Sequence, residues 1–394
     1  MADPWLHIIG LNEDGLAGLS STSRALLAQA EVVFGAPRHL ELADIGARGQ
    51  AWPVPFSVDP VLARRGQHVV ILASGDPFWF GAGGSITPHL QRSEWQSHPA
   101  PSTFALAANL LGWRLEEVRC FGLHAAPFAQ LAPHLTRDAR LICLLRNGAA
   151  PAELAQWLVD HGAGDAELQV MERLGGSRMR LRQTSAAGFD ISEIEAPVAV
   201  AIEVTQTTAR PASPGLPDDS FAHDGQITKQ PVRALTLSAL APRRGEVLWD
   251  IGAGSGSVSV EWCLLGGRAV AYEAKPARAA NISSNIARFG LAQSMVLVEG
   301  AVDGDTLPHS PYPDAVFIGG GANAGLLTAL FDQLPSGTRL VVNGVTLETE
   351  VLLAQWHGLK GGSLLRIELA NAAPLGTMRG WVPLRPVVQW SVVL

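Results

Sequence analysis

The 394-residue sequence has few cysteines, few charged residues and no long apolar run. Only 16% of its residues are charged, and no apolar stretch approaches the roughly 20 residues of a membrane span. Its start, MADPWLHIIGL, lacks the basic and apolar regions of a signal peptide. The cysteines Cys120, Cys143 and Cys263 share no metal-ligand spacing, and the 11 histidines are scattered. We therefore expect a cytoplasmic protein with reduced cysteines, no metal site and no membrane partner.

The bulk numbers also bear on partners and on domain count. A net charge of −7 disfavours a nucleic-acid partner, because binding to phosphates is driven by clustered positive charge. Local basic patches can still hold a small anionic substrate. At 394 residues the chain is too long for one ordinary core, so two domains are expected.

The order of apolar runs supports two α/β domains. Short apolar runs alternate with helical patterns from LHIIGL to VAVAIEV, and the alternation restarts at EVLWDIG. Between them, residues 209–225 are rich in proline, glycine and aspartate, which is typical of a linker. We predict domains at 1–208 and 226–394, a linker at 209–225, and largely parallel sheets in both halves.

The most informative stretch is VLWDIGAGSGSVSVEW, residues 247–262. Gly252, Gly254 and Gly256 follow an apolar strand with the spacing G-x-G-x-G, whereas a dinucleotide-binding loop reads G-x-G-x-x-G. Asp250 ends the strand, and Glu273 ends the next one, where an acid can accept hydrogen bonds from ribose hydroxyls. A nicotinamide-dependent reductase is thus disfavoured and S-adenosylmethionine fits better, although a glycine turn that only joins strand to helix is the alternative.

Later segments extend this site. VEGAVDG (298–304) follows the third strand, DAVFIGGGANAG (314–325) follows the fourth, and VVNGVTLETE (341–350) follows the fifth. Before the domain, ITKQPVRALTLSAL offers a lid over the site. Together these segments resemble the small class I methyltransferases that decarboxylate and methylate a precorrin, over residues 226–380. The resemblance implies cofactor contacts from Thr228, from Gly252, Ala253, Gly254, Ser255 and Gly256, from Glu273, and from the Ala301–Val302 turn. We also predict cofactor contacts from Asp250 and Gly319, which lie next to these segments.

In the first half, VVILASGDPFWFGAGG (69–84) places Asp76 between Gly75 and Pro77 at the end of a strand. Alone, this motif is more typical of a simple Asp-Pro turn. Gly10 ends the first strand, and Ser102 and Thr103 precede a helix of small residues, so their hydroxyls and the free helix amides can face one cleft. We predict cofactor contacts from Gly10, Gly75, Asp76, Ser102 and Thr103.

These motifs resemble the class III tetrapyrrole methyltransferases, over residues 5–207. The resemblance implies a fold of two α/β lobes, unrelated to the Rossmann-like class I fold expected for the second half. Two departures are visible: the opening loop reads IIGLNEDGL instead of Gly-x-Gly-Pro-Gly, and no arginine follows His124 in CFGLHAAP. We interpret His124 as a packed, hydrogen-bonded histidine rather than a catalytic one.

Joined in one chain, the two halves resemble the fused, decarboxylating C(5,15) precorrin methyltransferases. This resemblance implies methylation of a precorrin at carbons 5 and 15, with loss of a ring acetate carboxylate, in cobalamin biosynthesis. It also implies S-adenosylmethionine at two sites, one per domain, a tetrapyrrole substrate and a homo-oligomer. A cobalt-containing precorrin or another tetrapyrrole is the alternative substrate. A scaffold of decayed domains is disfavoured because the glycine loop and Glu273 are intact.

Several polar residues are candidates for the chemistry. We expect Glu348, Asn343 and Lys229 to act in catalysis, and Arg233, Thr377 and Arg379 to contact substrate. Glu348 is interpreted as a hydrogen-bond acceptor or proton relay, with a surface acid at a helix start as the alternative. A cluster in ERLGGSRMRLRQ (172–183) is interpreted either as a clamp for propionates or as a solvated strand edge: Arg173, Arg178, Arg180 and Arg182.

Overall fold

The computed structural model describes residues 4–308 and 311–394, and the chain divides into two compact units. Unit 1 ends at Arg210 and unit 2 begins at Pro211. The predicted linker therefore falls mostly in unit 2, and two of its apolar residues, Leu216 and Phe221, are buried in that unit's core. The domain limits 208 and 226 stay predictions. Over the described residues, no helix has both the length and the apolar character needed to cross a bilayer.

From residue 4 onward, unit 1 contains ten strands and six α-helices, with short 3₁₀ turns between them. The strands are β1 (Leu6–Leu11), β2 (Val32–Gly35), β3 (Gly49–Ala51), β4 (Val69–Ser74), β5 (Trp95–His98), β6 (Val118–Leu123), β7 (Arg140–Leu145), β8 (Glu167–Glu172), β9 (Arg180–Ser185) and β10 (Val198–Glu203). The helices are α1 (Ser21–Gln29), α2 (Pro37–Leu42), α3 (Asp59–Leu62), α4 (Gly83–Ile86), α5 (Thr103–Leu111) and α6 (Ala150–Asp160).

The strands of unit 1 form two separate five-stranded sheets. The first has the order β3-β2-β4-β1-β5, and every neighbouring pair in it is parallel. Its central strands β1 and β4 are apolar and almost entirely buried, as expected for a parallel sheet covered on both faces. The carboxyl ends of β1, β2 and β4 therefore meet at one edge of this sheet.

The second sheet of unit 1 corrects one expectation. Its order is β6-β7-β10-β8-β9, and only β6 and β7 are parallel, while the other three pairs are antiparallel. The connections 173–179 and 186–197 hold no helix. Because a parallel pair needs a long crossover, these connections return the chain as antiparallel strands instead. The prediction of largely parallel sheets in both halves is wrong for this sheet.

Unit 2 alternates strands and helices through most of its length. Its strands are β11 (Val247–Ile251), β12 (Arg268–Glu273), β13 (Met295–Glu299), β14 (Ala315–Ile318), β15 (Arg339–Gly344), β16 (Ser363–Ile367), β17 (Ala370–Leu375), β18 (Met378–Pro383) and β19 (Val387–Val393). Its helices are α7 (Gln230–Leu240), α8 (Ser257–Leu264), α9 (Pro276–Phe289), α10 (Ala324–Gln333) and α11 (Leu347–Lys360).

Seven strands of unit 2 form one sheet, in the order β13-β12-β11-β14-β15-β19-β16. The strands from β13 to β15 are parallel, and β19 pairs antiparallel with both β15 and β16. The strand order reverses between β11 and β14, which is the switch point where open α/β sheets bind ligands. The strands β17 and β18 form a separate hairpin that the sequence did not predict.

Candidate functional site

The loop after β11 lies at the switch point of unit 2. Gly252, Gly254 and Gly256 have φ values of +69°, +62° and +70°, a region that side chains with a Cβ rarely adopt. A Cβ on Gly252 would lie 2.8 Å from the carbonyl oxygen of Gly320, in the loop after β14. The two glycine loops therefore approach each other backbone to backbone, directly before the start of α8.

The carboxylate of Glu273 supports this loop from the end of β12. Its Oε2 accepts a hydrogen bond of 2.8 Å from the backbone N–H of Gly254, and its Oε1 accepts one of 2.9 Å from the N–H of Lys275. The residue is only 5% exposed. Each carboxylate oxygen has two lone pairs, so Glu273 can still accept from a ligand hydroxyl while it holds the loop.

A cavity of about 530 Å³ opens beside these loops. This volume is in the usual range for small-molecule sites, roughly 300–1,000 Å³. The structure brings together on its wall eight of the predicted residues: Thr228, Lys229, Gly252, Ala253, Gly254, Ser255, Gly319 and Asn343. Two cations on the wall, Arg278 and Arg385, were missed by the sequence analysis. Arg278 follows the β12 turn on α9, a position that composition alone does not distinguish from a solvated helix face.

Asp250 lies behind the glycine loop and does not line the cavity. It is fully buried, and its Oδ2 accepts a hydrogen bond of 2.7 Å from Ser259 Oγ on α8. Its Oδ1 has no hydrogen-bond partner among residues 4–308 and 311–394. Burial raises the pKa of Asp250 to about 6, and the nearby charge of Glu273 acts in the same direction, against the hydrogen bond from Ser259.

Asn343 lies on the cavity wall at the end of β15 and belongs to a buried amide network. Its Nδ2 donates to Thr236 Oγ1 at 2.9 Å, and its Oδ1 accepts from Gln389 Nε2 at 3.0 Å. Gln389 Nε2 also lies 3.1 Å from Thr236 Oγ1. These bonds, from α7 and β19, fix the orientation of the Asn343 amide.

The structure corrects the expectation for Arg233. This side chain is fully buried on α7, where its Nε donates to Glu261 at 2.6 Å and its Nη1 to Asp218 at 3.2 Å. The guanidinium also donates to the backbone oxygens of Thr228 and Leu216. Because its donors are consumed inside unit 2, Arg233 fixes the segment before α7 instead of contacting a substrate.

Other predicted residues of unit 2 lie away from this cavity. Glu348 is exposed in the first turn of α11, where hydrogen bonds from its own backbone N–H and from Thr346 lower its pKa. Thr377 and Arg379 are exposed in the β17–β18 hairpin. Ala301 and Val302 line a separate groove along β12 and β13. Gly256 caps α8, and its φ of +70° shapes the loop from behind.

In unit 1, three chain segments meet closely at the ends of β1 and β4. A Cβ on Gly10 would lie 1.8 Å from the carbonyl oxygen of Gly75 and 2.6 Å from the backbone nitrogen of Ala100. Gly75 has a φ of +54°, and a Cβ there would lie 2.8 Å from Cα of Ser102. Ser102 caps α5 by accepting from the N–H of Ala105 at 3.1 Å. Gly10, Gly75 and Ser102 therefore lie close together, while their contacts to a cofactor stay a prediction.

Beside this junction is a cavity of about 260 Å³. Of the predicted residues, Thr103 lines it, while Gly10, Gly75, Asp76 and Ser102 lie outside the lining. Asp76 accepts a hydrogen bond of 2.8 Å from the N–H of Phe78 and so closes the turn after β4. His124 also lines the cavity, and burial lowers its pKa.

Four further polar residues that line this cavity were missed by the sequence analysis. Glu13 follows β1, Arg38 and His39 begin α2, and Ser74 ends β4. They come from three distant segments of the chain, so no local spacing announces them. The one available signal is position, because each follows or ends a strand of the parallel sheet.

The arginine cluster of 172–183 divides between two environments. Arg180 and Arg182 lie on the edge strand β9 and donate to Glu172, which is fully buried. Arg173 instead donates to Glu195 at 2.7 Å and to Glu13 at 3.3 Å. The strand-edge interpretation therefore describes Arg180 and Arg182, whereas Arg173 belongs to the charged surroundings of the cavity.

Comparisons with known proteins match two different families to the two units of the chain. The family described as tetrapyrrole (corrin/porphyrin) methylases matches residues 6–190, and a precorrin methyltransferase domain matches residues 219–394. A precorrin-6Y C(5,15)-methyltransferase (decarboxylating) from a Sinorhizobium species is 45% identical over 99% of this chain and 97% of its own. The protein of the same name from Mycobacterium tuberculosis H37Rv is 38% identical over 98% of both chains. A solved C-terminal domain of precorrin-6Y C5,15-methyltransferase from Rhodobacter capsulatus is 56% identical, covering 47% of this chain and 100% of its own, with a TM-score of 0.45.

Proposed function

This chain belongs to the precorrin-6Y C(5,15)-methyltransferase (decarboxylating) family, and we propose that its two units divide the two methylations between them. The predicted family and fold class are confirmed: unit 1 is a tetrapyrrole methylase domain and unit 2 a precorrin methyltransferase domain. The chain is a decarboxylating C-methyltransferase of cobalamin biosynthesis that uses S-adenosylmethionine.

In the proposal, unit 1 methylates carbon 5, and unit 2 methylates carbon 15 and decarboxylates the acetate at carbon 12, giving precorrin-8. The observation that carries it is that each unit has its own cavity at the carboxyl ends of its parallel strands. We therefore propose two S-adenosylmethionine sites per chain. The cytoplasmic location, the homo-oligomer and the metal-free form of the substrate stay predictions.

The residues of unit 2 fit S-adenosylmethionine. A Cβ on Gly252 would narrow the gap between the two glycine loops, and Glu273 retains lone pairs for ribose hydroxyls. The acids Asp250 and Glu273, both buried behind the loop, provide a negative field that favours a cationic ligand. Neither feature favours a pyrophosphate, whose charge the two acids would repel.

S-adenosylmethionine, when bound, supplies the methyl group as an electrophile. What the chain must do is hold a nucleophilic carbon of the tetrapyrrole in line with that methyl and keep water out. In unit 2 we assign this positioning to Thr228, Lys229 and the oriented amide of Asn343, which lie on one cavity wall. Arg385 on the same wall can hold a substrate carboxylate, whereas Arg278 is already paired with Asp224, to which its Nε donates at 2.8 Å.

Decarboxylation places further demands on unit 2. The electrons released from the acetate enter the conjugated ring of the substrate, so the protein needs no cofactor as an electron sink. Its contribution is a poorly solvated pocket for the departing carboxylate and a donor for the proton that completes the new methyl group. The apolar part of the cavity wall, formed by Phe317, Ile367 and Leu369, provides the poorly solvated surface.

Mass spectrometry of the product tests this function. Full-length protein with precorrin-6Y (also called precorrin-6B) and S-adenosylmethionine is expected to yield a product with two added methyl groups and one carbon dioxide lost. A product with one methyl group, or with all its carboxylates, would overturn the proposed assignment. The same assay with the cobalt-containing substrate distinguishes the two forms of precorrin.

A further inference from the structure

A cluster of charged and polar side chains on the unit 1 cavity has no role in the function described above. Arg38 and His39 lie at the start of α2, Glu13 follows β1 and Ser74 ends β4, and all four line the cavity. The Arg38 side chain is 31% exposed, whereas Glu13 is 6% exposed. The Arg38 guanidinium is therefore partly open to the cavity, where a ligand can reach it.

Arg38 is fixed from two sides. One of its terminal nitrogens, Nη1, donates to Glu13. The other, Nη2, lies 2.9 Å from Nε2 of His39 and 3.1 Å from Oγ of Ser74. Because a guanidinium can only donate, Nε2 of His39 must be the acceptor, and the ring is neutral with its proton on Nδ1. Burial, followed by the charge of Arg38, lowers the pKa of His39 to about 4, which agrees with this neutral ring.

The surroundings of Arg38 are short of negative charge. Glu13 is shared between Arg38 and Arg173, whose Nη1 lies 3.3 Å from Glu13 Oε2. Arg173 also binds Glu195, which is about half exposed and therefore screened by solvent. Burial lowers the pKa of Arg38, and the charge of Arg173 lowers it further. A desolvated cation beside a second cation gains stability from any anion that enters the cavity.

We propose that Arg38 is the carboxylate-binding group of the unit 1 cavity, and that His39 and Glu13 are the residues that position its guanidinium. A held, planar guanidinium presents its donors to a carboxylate with little loss of side-chain entropy. The inference rests on the proposed function only in taking this cavity as a ligand site. Two ligands of the reaction carry carboxylates: the amino-acid end of S-adenosylmethionine and the acetate and propionate groups of the tetrapyrrole.

Whether Arg38 binds the carboxylate of S-adenosylmethionine is tested with a methyl donor that lacks this carboxylate. Equilibrium dialysis uses the full chain carrying Gly252→Val, which removes the unit 2 site, with S-adenosylmethionine and decarboxylated S-adenosylmethionine as probes. If the donor carboxylate binds Arg38, Arg38→Gln weakens S-adenosylmethionine binding by about tenfold or more and leaves the decarboxylated probe unchanged. Glu13 remains paired with Arg173 in this variant, so no buried charge is left alone. Arg114→Lys, an exposed substitution in the same unit, is the control.

The tetrapyrrole as carboxylate source gives a different pattern. Arg38→Gln then leaves both donor affinities unchanged, weakens dialysis binding of uroporphyrin, and raises the KM for the precorrin in carbon-5 methylation with little change in kcat. If binding of both donors and of uroporphyrin, and the precorrin KM, all match the protein without the Arg38 change, the inference is overturned. A wild-type chain that binds only one donor molecule contradicts the two-site function instead, so the two failures are distinguishable.

The positioning role of His39 has its own readout. His39→Phe removes the acceptor for Arg38, whereas His39→Gln keeps an acceptor oxygen near the same place. We expect His39→Phe to weaken binding of the carboxylate-bearing ligand about threefold to fivefold. Binding of the decarboxylated probe should not change, and adding His39→Phe to Arg38→Gln should not weaken binding further. His39→Gln should restore most of the loss. Equal weakening of both probes would show that His39 supports only the fold.

Discussion

The cavity of unit 2 is lined by backbone at its glycine loops, whereas the polar lining of the unit 1 cavity consists of side chains. In unit 2 the cradle is backbone: three glycines with positive φ, a facing glycine loop and one supporting carboxylate. In unit 1 the polar lining is made of side chains, with Glu13, Arg38, His39 and Ser74 contributed by three separate segments. If both units bind the same methyl donor, as we propose, the two cavities solve one binding problem in two physical ways. Backbone cradles leave a visible glycine spacing in a sequence, whereas side-chain clusters do not.

The strongest way to separate the two units is to break unit 1 at its glycine junction. In Gly10→Ala, the new Cβ would lie 1.8 Å from the carbonyl oxygen of Gly75 and 2.6 Å from the backbone nitrogen of Ala100. Both are backbone atoms, which cannot move aside as a flexible side chain can. We expect unit 1 to lose about 3 kcal/mol of stability or more, measured by chemical unfolding, and carbon-5 methylation to be lost. Gly84→Ala, at a position where a Cβ meets no atom within 4 Å, is the matched control. Retained carbon-5 methylation in Gly10→Ala would contradict the unit assignment.

The corresponding change in unit 2 is Gly252→Val. Valine at a φ of +69° is strained, and its Cβ would lie 2.8 Å from the Gly320 oxygen. We expect binding of S-adenosylmethionine to unit 2 to weaken about a hundredfold, with loss of decarboxylation and carbon-15 methylation.

The control for that change is Gly337→Val, which has a positive φ of +96° but no atom within 4 Å of the new Cβ. Gly337→Val introduces the same kind of backbone strain but places no atom in the unit 2 cavity, so binding of S-adenosylmethionine should persist. If Gly252→Val still adds both methyl groups at the normal rate, the glycine loop is not the donor site of unit 2.

The next effect concerns the free energy of unfolding and comes from the buried acid Asp250. Its folded pKa of about 6 lies above the ordinary value, so the folded state holds its proton more tightly than the unfolded state does. This contribution to stability is present below about pH 4 and lost as the pH rises to about 6, on the order of 3 kcal/mol. Urea unfolding of the wild type and of Asp250→Asn across this range measures it. The difference between the two proteins should favour Asp250→Asn increasingly as the pH rises, and a constant difference would contradict the raised pKa.

The smallest effect is expected from Glu348→Gln. This acid is exposed on α11 and does not line the unit 2 cavity, so we expect turnover within about twofold of wild type. Asn343→Ala, on the cavity wall, is the comparator and should lose far more in kcat. A tenfold loss in Glu348→Gln would restore the proposed catalytic role of this residue.

The sequence was most informative where function depends on the backbone. All seven strands of the unit 2 sheet were visible as apolar runs, and the G-x-G-x-G loop suggested the proposed ligand because glycine spacing reports backbone conformation directly. The second sheet of unit 1 was misjudged because a run such as VAVAIEV has the same pattern in a buried antiparallel strand as in a parallel one.

Charged residues were harder to assign from the sequence. Arg233 looked like a free cation, yet Glu261 and Asp218, distant along the chain, bury it completely. No prediction for Arg38 and His39 came from the sequence, because only the folded sheet brings Glu13 and Ser74 beside them. The role of a charge is set by partners that are remote in sequence, which local patterns do not contain.

The number of S-adenosylmethionine molecules bound by one full-length chain tests the central claim most directly. Isothermal titration of the intact protein is expected to give two per chain, falling to one in Gly252→Val. One donor per chain in the wild-type protein, or an unchanged number in Gly252→Val, would contradict the account.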